Sequence, residues 1–197
     1  MERCWEAVRD SVYKPAEDSY LLQRHVEREA EGLVLDMGTG DGIQAITAAR
    51  KPEVTRVVAV DINPRALEEA RENAASAGVS EKVEFRLGDL FQAVGDERFD
   101  YILFNPPYLP THPEEPRDEA TRAWDGGPTG AEAVKRFLRE ARDHLRLGGK
   151  ILLILSTRTG ITPEEIARDY EVEVLEEEPL FFERLLCLSL RERPHRT

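Results

Sequence analysis

Four polar side chains stand at or just past the ends of four successive apolar runs: Asp36, Asp61, Asp89 and Asn105. Asp36 opens LDMGTGDG (Leu35–Gly42), in which Gly38, Gly40 and Gly42 let backbone amides come close to a ligand, with Thr39 between them. Asp61 follows roughly 20 residues on, at the place where nucleotide-binding folds put the acid that grips a ribose, and Ile62 is its neighbour. In GDLF (Gly88–Phe91), Asp89 is suited to accept a hydrogen bond from an adenine amino group and Leu90 to pack on the ring. Each motif alone is ordinary turn chemistry, and Asn-Pro marks chain reversals. Four polar groups at four such ends match the place where open α/β sheets bind ligands.

The fourth motif, FNPPY, supplies different chemistry. Asn105 offers a side-chain carbonyl, and the stiff Pro106–Pro107 backbone offers a main-chain carbonyl at a fixed angle. Two acceptors hold both N–H bonds of one planar NH2 group, and the ring of Tyr108 covers its flat face. Such a nitrogen is a poor nucleophile because its lone pair is delocalised, so its catalysis is a matter of positioning and electrostatics. The glycine spacing selects the other substrate. A nicotinamide site uses Gly-x-Gly-x-x-Gly, whereas here the third glycine comes one residue early and Ile43 takes its place. S-adenosyl-L-methionine fits this turn better: it has no pyrophosphate to seat, and Asp36 can serve its amino acid end.

These residues need a sheet to hold them. Val-rich runs at Gly32–Met37 and Arg56–Ile62, then Lys82–Leu87, Phe99–Phe104 and Lys150–Leu155, read as strands buried on both faces. Helical patterns fill the gaps over Glu17–Ala30, Ile43–Arg50, Pro64–Ala77 and Ala131–Leu145, with Asn63–Pro64 as a cap and Gly78 as a stop. Glu171–Glu177 and Arg184–Arg191 read as a closing antiparallel pair. The pattern predicts an α/β fold, a doubly wound Rossmann-like sheet that is mostly parallel with an antiparallel C-terminal strand. We expect one domain over 1–197, with residues 1–31 a helical extension over the cofactor site and the strand at 82–87 on a sheet edge.

Composition narrows the function classes. A chain of 197 residues with 41% hydrophobic content can build a proper core. The formal charge of −12 disfavours non-specific binding to a phosphate backbone. Cys4 and Cys187 have no zinc or redox spacing, and His25, His112, His144 and His195 show no metal pattern. With no signal peptide and no run long enough to span a bilayer, a cytoplasmic protein is expected.

GTGDG, VDIN, GDLF and NPPY, in this order, make the chain similar to class I S-adenosylmethionine-dependent N-methyltransferases. The opening VYKPAED (Val12–Asp18) and the later AWDGGPTG (Ala123–Gly130) resemble the HemK-related protein glutamine methyltransferases, in particular their short archaeal and eukaryotic branch. The bacterial enzymes of that family carry a separate N-terminal helical domain, for which about thirty residues before the first strand leave no room. The resemblance implies methyl transfer to the side-chain amide of a Gly-Gly-Gln glutamine in a peptide release factor, with S-adenosyl-L-homocysteine as product. It also implies a small zinc-binding activator subunit, expected on the edge strand near 82–87. Tyr13, Glu17 and Asp18 are placed near the methionine end of the donor, and Trp124 and Asp125 in an acceptor lid. Competing readings are a nucleic acid adenine or cytosine amino methyltransferase, a nicotinamide oxidoreductase and a non-catalytic scaffold.

Overall fold

The computed structural model describes residues 12–107 and 130–193. Cys4, Tyr108, Trp124, Asp125, His112 and His195 therefore lie outside the described residues. Within them the order is α1 (Glu17–Glu29), β1 (Gly32–Met37), α2 (Ile43–Ala49), β2 (Val54–Asp61), α3 (Pro64–Ser76), β3 (Val83–Leu87), β4 (Phe99–Phe104), α4 (Glu132–Ala141), β5 (Leu145–Ser156), α5 (Pro163–Ile166), β6 (Tyr170–Pro179) and β7 (Arg184–Glu192). The strands form one seven-stranded sheet in the order β3-β2-β1-β4-β5-β7-β6. Neighbours are parallel from β3 through to β5, while β7 runs antiparallel to both β5 and β6. The doubly wound expectation and the reversed C-terminal strand are both met, and β3 is an edge strand.

Alternation along the strands divides the core into two layers. Leu33, Leu35 and Met37 of β1 share one face with Ile102 and Phe104 of β4, and α4 covers it with Val134, Phe137 and Ala141. Val34, Tyr101 and Leu103 point to the other face, under Leu21, Leu22 and Val26 of α1 and Ala45, Ala48 and Ala49 of α2. The cap at α3 forms as the sequence predicts: the Asn63 side chain accepts from the Arg65 N–H at 3.0 Å, with Pro64 following it.

Two boundaries differ from expectation. The helix of residues 131–145 stops at Ala141, passes through a 3-10 turn (Arg142–His144), and β5 starts at Leu145. Leu145 is buried opposite Phe99, so the Gly148–Gly149 pair, which precedes the strand expected from Lys150, sits inside the long strand, where the β4–β5 register shifts. The short α5 also escapes the periodicity, although Thr162 and Glu165 form a capping box with Pro163 between them.

Cys187 is buried, and desolvation pushes its thiol up to about 12, which leaves it an inert core residue. Among the described residues no group of His, Cys, Asp or Glu could hold a metal, and no helix is long and apolar enough to cross a membrane.

Phe137 ties the site wall to the core. Its ring lies 4.3 Å from that of Phe104, the residue before Asn105, and 5.4 Å from Phe91, just past Leu90. Phe137→Ala is expected to cost about 3–5 kcal/mol of stability, read from urea denaturation, because the cavity it leaves lies between three packed elements.

Candidate active site

The ends of β1, β2, β3 and β4 open on a cavity of about 420 Å³. It is lined by Asp36, Gly38, Thr39, Gly40, Asp61, Ile62, Asp89, Leu90, Asn105, Pro106 and Pro107, and by Tyr13 and Asp18 from the chain leading into α1. Two expected residues stand elsewhere. Glu17 is exposed at the start of α1, where one residue's turn of the helix directs Asp18, not Glu17, inward. Gly42 is the N-cap of α2 with φ +90°, and a Cβ there would come within 3.0 Å of the Ala70 Cβ, so it serves the contact of α2 with α3.

The glycine turn is held by the neighbouring strand. Thr39 donates its backbone N–H to the Val60 carbonyl at 3.0 Å, and Gly40 donates its own to Asp61 Oδ2 at 2.9 Å. The other oxygen of Asp61 accepts the Asn63 N–H at 2.8 Å. Asp36 accepts from the Thr39 hydroxyl at 2.6 Å and from the Ala45 N–H at 3.0 Å. Burial pushes the carboxyls of Asp36, Asp41 and Asp61 upward, against the backbone and side-chain hydrogen bonds they accept. A wall of reluctantly ionised acids favours a cation and disfavours a diphosphate.

At the other end, Arg136 of α4 donates from Nη2 to Asp89 Oδ2 at 2.9 Å, and it lines the cavity too. Leu90 beside it has φ +48°, the one positive value among the described non-glycine residues. A side chain held there costs on the order of 1 kcal/mol.

Asn105 leaves the end of β4 with its amide set by α1. The Ser19 hydroxyl lies 3.1 Å from Asp18 Oδ1, to which it donates, so its lone pairs face the Asn105 Nδ2 at a long 3.5 Å. The Asn105 Oδ1 is then buried without a partner among the described residues. Gln44, another lining residue, likewise has a buried Oε1 with no partner among the described residues, while its Nε2 donates to the Ser19 carbonyl at 2.8 Å. Unpaired buried acceptors are costly, and both of these belong to residues that line the cavity. Sequence reasoning missed Ser19, Gln44 and Arg136. Gln44 alone left a signal: the one amide in the mostly apolar helix IQAITAA.

A seven-stranded sheet with a reversed β7 and a glycine turn after β1 is the class I methyltransferase architecture. Residues 12–178 match the methyltransferase small domain, and the chain belongs to that family. It is 38% identical to a candidate protein N5-glutamine methyltransferase of Methanocaldococcus jannaschii over 183 residues, covering 90% of each chain. A release factor glutamine methyltransferase of Cereibacter sphaeroides is 35% identical over 80% of this chain, which spans only 58% of that longer protein. Among solved structures, the E. cuniculi Mtq2–Trm112 complex, responsible for methylation of the eRF1 translation termination factor, superposes with a TM-score of 0.68 at 27% identity. That match covers 92% of this chain and 99% of the other. A tRNA m1G37 methyltransferase of M. jannaschii shares the fold, with a TM-score of 0.65 at 21% identity over 93% of this chain and 52% of its own.

Full burial takes the Asp36 carboxyl from the ordinary 3.8 to about 7. Between those values the folded chain holds this proton more tightly than the unfolded chain, so the Asp36 contribution to stability is complete below about pH 4. It falls as pH rises and levels off above about pH 7, a loss on the order of 4 kcal/mol. Asp36→Asn removes that slope, so the stability difference between the variant and the parent should shift in the variant's favour from pH 5 to pH 8 in denaturant titrations.

Proposed function

We propose that this chain transfers a methyl group from S-adenosylmethionine to the side-chain amide nitrogen of a glutamine in the Gly-Gly-Gln motif of a class I translation termination factor. The observation that carries the reading is Asn105 on the cavity wall, its Oδ1 without a partner among the described residues, followed by the two rigid prolines. The family, the named relatives and the Mtq2–Trm112 likeness support a protein amide over a nucleic acid base as acceptor. The charge of −12 points the same way. We read residues 1–197 as one methyltransferase domain working in the cytoplasm.

The cavity fits the donor. Its acidic wall suits a ligand bearing a sulfonium and an ammonium group, and the orphaned Gln44 Oε1 is an acceptor at the same wall. Asp36, Gly38, Thr39 and Gly40 would hold the amino acid end together with Tyr13 and Asp18, Asp61 and Ile62 the ribose, and Asp89 and Leu90 the adenine. When bound, the donor supplies an electrophilic methyl carbon. The chain's task is to present the nucleophile. Asn105 Oδ1 and the Pro106 carbonyl accept the two N–H bonds of the glutamine amide, which aims its lone pair and limits its delocalisation. The alkylated nitrogen is acidic and loses its proton to water, so no general base has to act first. Tyr108 is the proposed cover of the amide face.

The edge strand β3 is the proposed seat of a small zinc-binding activator. No strand pairs with its outer edge among the described residues, and Leu87 on it is 60% exposed. A purified chain that is soluble, monomeric and fully active alone would count against this partner.

The decisive assay is radiolabelled methyl transfer to a termination factor with and without its Gly-Gly-Gln glutamine, run beside DNA and tRNA. Label is expected only in the factor that retains the glutamine, and label confined to nucleic acid overturns the reading. Asn105→Ala should lower kcat at least 100-fold while donor affinity, by calorimetry, stays within about threefold. Ser19→Ala frees the Asn105 amide to flip and should lower kcat about tenfold, whereas Ser19→Thr keeps the hydroxyl and most of the turnover.

A further inference from the structure

Two large apolar side chains stand in water at the turn between β6 and β7. Phe181 is 92% and Phe182 86% exposed, with their rings edge to face at 4.7 Å. The turn that carries them is firmly tied. Leu180 donates its N–H to the Glu183 carbonyl at 2.8 Å, the Glu183 carboxylate accepts the Ser156 hydroxyl, and Thr157 donates its N–H to the Arg184 carbonyl while its hydroxyl accepts the Arg184 N–H, both at 3.0 Å. Leu180 itself packs on the core.

The sheet register locates this pair. Phe104 lies beside Leu153, and Ser156 at the end of β5 lies beside Leu185, so the turn rises from the same edge of the sheet on which Asn105 sits. With two strand spacings across and about five residues upward, the rings stand roughly 20 Å from Asn105. A small acceptor bound at Asn105 does not reach them, but a folded protein does. The flanks are acidic: Glu171–Glu183 holds six glutamates and no Lys or Arg, only partly offset by Arg24 and Arg184. That charge repels an anionic membrane or a nucleic acid and attracts a basic surface.

We infer that Phe181 and Phe182 are an anchor for the substrate protein, inserting into an apolar patch rimmed by Lys and Arg on the same molecule that delivers the acceptor amide. Paired aromatic side chains on a rigid support are well suited to such a role, because little conformational entropy is lost on docking. The inference rests on the reading of the acceptor as a protein, and its test separates the two.

The experiment compares the parent chain with Phe181→Ser/Phe182→Ser and with Glu177→Lys, in whatever complex supports the parent's activity, at saturating S-adenosylmethionine with the full-length termination factor as acceptor. The double variant is expected to raise KM for the factor at least tenfold and Glu177→Lys about threefold, with kcat and donor affinity within twofold of the parent. An unchanged KM overturns the inference alone. A loss of kcat or donor affinity equal to the rise in KM also overturns it, as does sedimentation showing that the Phe pair joins two copies of this chain. A parent chain inert toward the factor removes both the functional reading and the inference.

Discussion

Everything at the site depends on the parallel pairing of β1 with β4, two strands far apart in the chain. Asp36 lies beside Leu103 and Met37 beside Phe104, so the glycine turn and Asn105 leave adjacent strand ends at the same level. A slip of β1 by one residue would invert its side chains, turning Asp36 toward α4 and Met37 toward α1 and α2. The apolar alternation that buries Leu35 and Met37 on one face and Val34 and Leu103 on the other is therefore also what brings the donor end of the cavity against the acceptor end. Fold specification and site assembly are one and the same constraint.

The electrostatics follow from that packing. A carboxyl on a strand between two covered faces is desolvated, and Asp36 accepts two hydrogen bonds, from the Thr39 hydroxyl and the Ala45 N–H. Asp61 is likewise answered by backbone N–H groups. Burial of this kind favours a carboxyl that keeps its proton or faces a cation. The two orphaned amide oxygens obey the same logic in neutral form.

Much of this was legible in the residues themselves. The glycine turn, Asp61, Asp89 and Asn105 each belong to a strand and the turn that ends it, so a local window contains both the residue and its placement. Ser19, Gln44 and Arg136 belong to helices, where a polar residue ordinarily reads as the solvent face. They become site residues only when α1, α2 and α4 dock on the sheet. Gly42 shows the opposite case: its place in a glycine motif suggested ligand contact, while the approach of Ala70 explains why a side chain is excluded. Glu17 and Asp18 are both acids in a first helical turn, and only docking decides which one faces the cavity. The extent of β5 was hidden because a Gly-Gly pair reads as a break unless the neighbouring strand supplies the register.

At Leu90 the backbone and the site make opposite demands. Glycine or asparagine would relax the left-handed position but would take the leucine side chain from the cavity wall, so local stability can be gained there only by changing the shape of the cavity.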